Sequence, residues 1–163
     1  MSNHILRNRR ALIEQLYDYL NCYDFATAAT MVVSRHTDNY LFHWQDVRKT
    51  FPDFRLEPLD IIIQDERIVV HSLFSGTHRG VAKLPHHGDL LVGAKATGRT
   101  VSVSQMHVYQ IVASKLIELY IVRDDVSLYQ QLRLLPNANE ETLDPAPEVD
   151  WLLSRDPRIE KRI

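Results

Sequence analysis

The hydrophobic periodicity of the chain changes once, close to Arg55, and this change limits the folds available to it. Before that point apolar residues recur at helical spacing, and after it segments rich in β-branched residues predominate. The segments LDIIIQ (59–64) and RIVVHSLFSG (67–76) flank a polar pair, Asp65 and Glu66, which suits a hairpin turn. Helices followed by a strand meander predict an α+β fold, with an antiparallel sheet curled over the helices.

Three helices are predicted before the sheet. Their expected bounds and N-caps are 4–21 with Ser2 or Asn3, 25–33 with Asp24, and 38–51 with Asp38 or Asn39. The third helix should stop at Phe51, because Pro52 disfavours helical geometry in the residue before it. A short helix at 126–135, capped by Asp124 or Asp125, is expected to close the domain.

A second hairpin is predicted from TVSVSQMHVYQIV (100–112) and KLIELYIV (115–122), which only Ala113 and Ser114 separate. A two-residue turn fixes the register of its strands. The expected cross-strand pairs are Ile111 with Leu116, Tyr109 with Glu118, and His107 with Tyr120. Since side chains alternate along a strand, one face then carries His107, Tyr109, Glu118 and Tyr120.

Two interpretations of that face remain open from the pattern. If it is the concave face, a carboxylate beside a histidine is a plausible general acid/base pair in a cavity. If it is the outer face, Ile117, Leu119 and Ile121 pack inward on the helices and the polar groups meet solvent. Both faces carry apolar residues, so periodicity does not choose between them.

Composition limits the class of protein. A chain of 163 residues with 45% apolar content suits one domain, expected at residues 1–135. The 19 Lys and Arg against 21 Asp and Glu argue against a nucleic-acid partner. No apolar run approaches a membrane span, and the polar start does not resemble a signal peptide. With Cys22 as the single cysteine, we expect a cytoplasmic protein and no disulfide within the chain.

The last segment, residues 136–163, differs from the rest. It is acidic and proline-containing, so an extended or partly disordered tail is expected. Trp151, Leu152 and Leu153 interrupt its polar character. These residues could dock on a neighbouring subunit or on the domain itself, or the whole tail could be loose.

A stretch rich in glycine and histidine, residues 75–103, joins the two hairpins. Its glycines lack the Lys-Ser or Lys-Thr spacing of a phosphate-binding loop. His86 and His87 are adjacent and His78 is distant along the chain, so no metal site is predicted. This stretch is expected to rim the mouth of a pocket. Cys22, in a helical and apolar setting, is expected in the core and not as a nucleophile.

Several motifs between residues 50 and 132 together resemble a known family. The segments FPDFRLEPLDIIIQDERIVVHSLFSGTHRG, ATGRTVSVSQMHVYQIV, KLIELYIVRDD and LYQQL occur in this order. Their order resembles that of the SnoaL-like polyketide cyclases, also called predicted ester cyclases. That family shows a Phe-Pro-Asp start, a Gly-Thr-His-x-Gly strand end, a Thr-Gly-(Arg/Lys) strand start, and a glutamate-bearing strand followed by an aspartate.

The resemblance implies a fold and an activity. The fold would be a cone-shaped α+β barrel of the nuclear-transport-factor type, whose members frequently form dimers or tetramers through the sheet. The characterised cyclases close a ring by an intramolecular aldol reaction, on an apolar carbonyl compound and without metal or cofactor. Such chemistry needs a dry pocket, a proton-transfer group and donors for an enolate oxygen.

The resemblance also implies roles for residues of this chain. His107, Glu118 and Asp124 are the candidates for acid/base catalysis. The candidates for substrate binding are Tyr109, Tyr120, His78 and Trp44, with the two tyrosines as donors to an oxyanion. Either Glu118 or Ile121 occupies the position of the cyclases' catalytic aspartate, and with Ile121 there the aldol reaction would be lost. A non-catalytic protein that binds a small molecule or a protein, and an isomerase or dehydratase, are the alternative functions.

Overall fold

The computed structural model describes residues 3–33, 37–85 and 89–135. These contain four helices, a four-stranded antiparallel sheet and the short 3-10 helix Asp89–Leu91. The elements in chain order are α1 (Asn3–Asn21), α2 (Phe25–Met31), α3 (Thr37–Thr50), β1 (Arg55–Gln64), β2 (Arg67–Thr77), β3 (Thr100–Val112), β4 (Lys115–Arg123) and α4 (Asp125–Gln131). The predicted α+β class is confirmed, with both hairpins at the expected segments.

The sheet is a meander in the order β1-β2-β3-β4, and each strand pairs with the next along the chain. Ala113 and Ser114 turn the second hairpin with φ values of 49° and 61°, the left-handed pair that a type I′ turn requires. Two bulges interrupt the ladders, one at Pro58 to Asp60 and one opposite Val108 and Tyr109. Bulges bend a strand and increase its twist, so they curve this sheet around the helices.

The helices fill the concave side of the sheet. The buried face of α1 is the stripe Ile13, Leu16, Tyr17 and Leu20, at i, i+3, i+4 and i+7. An aromatic group continues this core, because Phe54 stacks on Trp44 and on Phe74, at centroid distances of 5.6 and 6.1 Å. Aromatic pairs at these distances add to the stability that area burial alone supplies.

Helix caps follow the predictions in part. Asp24 caps α2 and Asp124 caps α4, each accepting a hydrogen bond from a backbone N–H three residues on. The cap predicted for α3 is wrong, because that helix begins at Thr37 and Asp38 and Asn39 lie inside it. Ser2, His86, His87 and the segment 136–163 lie outside the described residues. Among the helices of the described ranges, none is long and apolar enough to cross a membrane.

Three of the motifs that suggested the family meet at one structural junction. Asp53 accepts hydrogen bonds from the Thr77 backbone N–H and hydroxyl, both at 2.7 Å, and so joins the Phe-Pro-Asp segment to the end of β2. The backbone of His78 pairs with Arg99 and Gly98, which precede β3. The N–H groups of Arg79 and Gly80 both donate to Thr50 O at the end of α3. These motifs therefore fix the connection between helix and sheet.

Candidate functional site

The centre of the concave face holds a histidine and a glutamate in direct contact. His107 Nδ1 lies 2.8 Å from Glu118 Oε1, and the His107 side chain is only 2% exposed. Glu118 is half-buried, with 24% of its side chain exposed. Of the two interpretations of this hairpin, the structure therefore selects the concave one, with His107 directed toward Tyr17 of α1.

The predicted register holds near the turn and changes at the bulge. Tyr109 pairs with Glu118 as expected, but His107 pairs with Ile121 and not with Tyr120. The extra residue in β4 shifts every later side chain by one position, which moves it to the other face. Tyr120 consequently lies opposite Val108 on the outer face, 55% exposed and away from His107.

The hydrogen-bond chemistry assigns the ring nitrogens of His107. A carboxylate can only accept, so the Nδ1–H of His107 donates to Glu118. In the neutral ring Nε2 then carries the lone pair and can act as a base, which is how a carboxylate orients histidine in hydrolase triads. Nε2 is buried and has no hydrogen-bond partner among the described residues. The Tyr109 hydroxyl oxygen lies 3.2 Å from Nδ1, so it contacts the same ring nitrogen as Glu118.

Three tyrosines surround the pair. Burial raises the pKa of Tyr17 to about 12, and burial together with the negative charge of Glu118 raises the pKa values of Tyr40 and Tyr109 well above 10. The Tyr40 side chain as a whole is half-buried, and it is its hydroxyl group that is shielded from solvent. All three phenols therefore stay protonated at physiological pH and are available as hydrogen-bond donors.

A second buried polar atom faces the same region. Trp44 on α3 is 6% exposed, and its indole N–H has no hydrogen-bond acceptor within the described ranges. The Trp44 N–H lies near enough to the Tyr40 hydroxyl to offset part of the rise in the pKa of Tyr40. The two groups do not meet hydrogen-bond geometry, so the Trp44 N–H stays without an acceptor. A buried N–H without a partner costs free energy, and such donors are often found where a ligand binds.

Trp44 and His107 line one small cavity. The volume open to the centre of a water-sized sphere is about 10 Å³, which is enough for about one water molecule. The other lining residues are His43, Val47, Phe74, Gln105, Ile121 and Arg123. Among them His43, Ile121 and Arg123 are only half-buried, so they form its solvent side. A larger ligand must displace some of these side chains to enter.

Asp124 does not join this pair. Its carboxylate accepts from the Ser127 N–H at 2.9 Å, as the N-cap of α4, and it lines a hollow on the outer face of the sheet. The strand ends one residue earlier, and the chain turns away from the concave face to begin the helix. The structure therefore places Asp124 as the N-cap of α4, apart from His107 and Glu118.

Asp124→Ala separates these two roles. We expect it to lower the free energy of unfolding by about 1 kcal/mol, since that is the usual cost of losing an N-cap carboxylate. Catalytic rate per folded molecule should be unchanged. Urea unfolding measures the change in the free energy of unfolding. A rate at least tenfold lower in a fully folded Asp124→Ala protein would show that Asp124 takes part in the chemistry.

His78 also lies away from the His107 pair. It is fully buried against Phe51, and its Nδ1 lies 3.3 Å from both the hydroxyl oxygen and the backbone nitrogen of Thr97. Burial lowers its pKa, because desolvation disfavours the charged imidazolium. It does not line the cavity of Trp44 and His107. The observed contacts of His78 are those of a structural residue at the junction of loop and helix.

Some site residues escaped the sequence analysis. Tyr17 and Tyr40 were not identified, although Tyr17 lies on the buried stripe that starts at Ile13.

The core position predicted for Cys22 is wrong, since Cys22 is exposed in the turn after α1. Within residues 3–33, 37–85 and 89–135, no three His, Cys, Asp or Glu side chains are placed to hold a metal ion.

Comparison with known proteins gives a consistent result. The sequence model of the SnoaL-like polyketide cyclase family matches residues 8–132, which is most of the chain. No curated protein matches it significantly in sequence.

Solved structures share the fold at low identity. AclR from Streptomyces galilaeus, a proposed hydroxylase, is 22% identical with a TM-score of 0.64, over 78% of this chain and 97% of that one. TsrD from Streptomyces laurentii is 18% identical with a TM-score of 0.68, over 83% and 99%. IdmH from Streptomyces antibioticus, a proposed polyketide cyclase, is 18% identical with a TM-score of 0.61, over 76% and 97%. With the family match over residues 8–132, the chain belongs to the SnoaL-like polyketide cyclase family.

Proposed function

We propose that this protein catalyses proton transfer, without a cofactor, at a carbon next to a carbonyl group of an apolar small molecule. The observation that carries the proposal is the buried contact of 2.8 Å between His107 Nδ1 and Glu118 Oε1, which leaves Nε2 without a hydrogen-bond partner among the described residues while His107 lines a cavity. Membership of a polyketide cyclase family supports the substrate class. The ring-closing aldol reaction is the overall reaction that we favour.

The proposed mechanism begins with His107 Nε2 accepting a proton from the carbon acid. The imidazolium that forms donates through Nδ1 to Glu118, whose negative charge stabilises it in surroundings of low polarity. The electron pair of the broken C–H bond moves into the enolate, which attacks the second carbonyl of the same molecule. Nε2–H then returns the proton to the alkoxide, so no net proton is lost.

Tyr109 has a positioning role in this scheme. It is buried beside the imidazole, with its ring at 5.9 Å and 7° from that of His107. Its hydroxyl is held on the Nδ1 side of the ring, and Tyr109 is not among the residues that line the cavity of Trp44 and His107. It therefore fixes the orientation of the base, while donors to the enolate oxygen have to come from residues that line the cavity.

Exchange of α-hydrogen for deuterium tests the proton-transfer step independently of the natural substrate. We propose 1-tetralone and acetophenone as probes, in D2O with NMR detection, because both are apolar ketones with slow background exchange. The wild-type protein should accelerate exchange, and His107→Asn should abolish the acceleration. Exchange at the buffer rate with both ketones, or unchanged acceleration in His107→Asn, would contradict the proposal.

We further propose that the protein is a homodimer paired through the outer face of the sheet. The cross-strand neighbours on this face are mostly apolar, with the polar His71 among them, and the apolar ones are Ile62, Val69, Leu73, Met106, Val108, Tyr120 and Val122. Val108 is buried, whereas Val122, on the edge strand β4, is 62% exposed. An exposed, mostly apolar face of this kind is typical of an interface, and one face meeting its own copy is the commonest oligomer geometry.

Val122→Lys is the matching test of assembly. A lysine at this position would be buried against the apolar face of the partner without a counter-charge, so we expect conversion of dimer to monomer. Sedimentation velocity measures the change, and Val81→Lys, the same substitution at an exposed valine in the loop after β2, is the control that should stay dimeric. A monomeric wild-type protein, or a Val122→Lys variant that sediments as the dimer, would contradict the proposed interface.

A further inference from the structure

Two of the residues that line the cavity at the site each carry a buried polar atom without a hydrogen-bond partner among the described residues. The donor is the indole N–H of Trp44 and the acceptor is Nε2 of His107, and both side chains are more than nine-tenths buried. The two residues come from different elements, α3 and β3, and converge on the same cavity. The other residues that line the cavity are three apolar ones, Val47, Phe74 and Ile121, and three polar ones, His43, Gln105 and Arg123.

We infer that Trp44 is a catalytic residue, whose indole N–H donates to the enolate oxygen while His107 Nε2 holds the abstracted proton. This inference rests on the proposed proton transfer. A carbon acid next to a carbonyl needs both groups, a base for the C–H and a donor for the oxygen on which the charge collects. Among the lining residues, the buried atoms without a hydrogen-bond partner in the described ranges are one of each: Nε2 of His107 and the indole N–H of Trp44.

The chemistry of the donor suits this role. An indole nitrogen only donates and does not titrate in water, so Trp44 offers an N–H at any pH at which the protein is folded. The oxygen of a ground-state ketone carries a partial charge, whereas the enolate oxygen carries most of a full one. A hydrogen bond to a charged acceptor is about twice as strong as one to a neutral acceptor, so the Trp44 N–H stabilises the enolate more than the ketone.

The stacking contacts of Trp44 keep the donor in place. Its ring stacks on Phe54 and meets His43 edge to face, at centroid distances of 5.6 and 5.3 Å. A ring fixed in this way needs little reorganisation when charge develops in the cavity, which is the condition for effective electrostatic stabilisation. Trp44→Phe keeps an aromatic ring at the position and removes only the N–H and part of the ring.

4-Nitrophenol is the probe for this role, because its phenolate places a negative oxygen on a planar ring, as an enolate does. Its absorbance reports ionisation, and 4-nitroanisole is the matched ligand that cannot form an oxyanion. The chain has two tryptophans, so Trp151→Phe leaves Trp44 as the only source of an indole N–H signal in the NMR spectrum. Trp151 lies outside the family match, which ends at residue 132.

We expect 4-nitrophenol to move the Trp44 indole proton downfield in the Trp151→Phe protein, and 4-nitroanisole to leave it near its original position. Trp44→Phe should weaken nitrophenolate binding by about tenfold or more, as expected for a charge-assisted hydrogen bond. It should leave 4-nitroanisole binding within about threefold, a change worth less than 1 kcal/mol. An unmoved indole signal at saturation, equal nitrophenolate affinity in Trp44→Phe, or no binding by the wild-type protein would overturn the inference.

The same probe keeps this inference separate from the proposed function. His107→Asn should lose the ability to ionise bound 4-nitrophenol, yet still shift the indole signal when the ligand is supplied as phenolate in alkaline buffer. A shifted indole signal without ketone exchange by the wild-type protein would support an oxyanion-binding Trp44 and refute the proton transfer. Ketone exchange without a shifted indole signal would support the proton transfer and refute the role of Trp44. Thermal unfolding of Trp44→Phe, compared with Trp151→Phe, verifies that the variant is folded.

Discussion

Replacing Glu118 by Gln is expected to lower the rate of α-hydrogen exchange by about 10²- to 10⁴-fold, the usual contribution of general acid/base catalysis. Glu118 accepts the Nδ1–H of His107 at 2.8 Å and so keeps Nε2 unprotonated and available as the base. A Gln amide can present its NH2 to Nδ1 instead, which favours the tautomer with the proton on Nε2. Even with the correct tautomer, the variant lacks the negative charge that stabilises the imidazolium.

Glu66→Gln is the control for this substitution. Glu66 lies in the other hairpin turn, at 62% side-chain exposure, and pairs with Arg9 at 3.4 Å. The same chemical change there should leave the exchange rate within about twofold, since exposed ion pairs contribute little free energy. An exchange rate for Glu118→Gln within tenfold of wild type would show that His107 does not depend on its carboxylate partner.

Gly80→Ala is expected to destabilise the protein more than the same substitution at any other glycine of the described residues. A Cβ built at Gly80 would overlap the Lys49 carbonyl oxygen, and the backbone N–H of Gly80 also donates to Thr50 O. A backbone oxygen cannot rotate away as a side chain can, so the loop must separate from the end of α3. We expect a loss of about 3 kcal/mol or more in the free energy of unfolding, the upper range for overpacking.

Gly93→Ala is the matched control for the steric argument. A Cβ there meets no atom within 4 Å, and the only penalty is the positive φ of 74°. That conformation costs an L-residue about 1–2 kcal/mol. Urea unfolding of the two variants compares them directly. An order in which Gly93→Ala is the less stable protein would show that the close approach of Gly80 to α3 does not matter in solution.

The sequence predicted the elements of the fold well, for identifiable reasons. The β-branched segments 59–64 and 67–76 and the second hairpin carry strong local signals, and β3 has its predicted bounds. Asp24 and Asp124 were recognisable as caps because a short acceptor just before a helix satisfies free N–H groups. Such signals depend on neighbours in the chain, and a single sequence contains them.

The site was less predictable because it depends on tertiary geometry. The bulge in β4 replaced Tyr120 by Ile121 opposite His107, and a bulge has no local signal here, since no glycine marks it. Trp44 and His107 meet only after α3 packs inside the sheet, so no spacing in the sequence relates them. The recognisable motifs, in contrast, support the fold: Asp53, Thr77 and His78 hold the loop and the strand ends together.

The central claim is that Glu118 directs the imidazole of His107 so that Nε2 is a free base in the cavity. The most direct measurement is the nitrogen NMR spectrum of the His107 ring, assigned by its loss in His107→Asn. It should be recorded at about pH 9, where histidine side chains are ordinarily neutral. We predict a protonated Nδ1 and an unprotonated Nε2, with the two exchanging character in Glu118→Gln. A wild-type spectrum with the proton on Nε2 would contradict this account of the site.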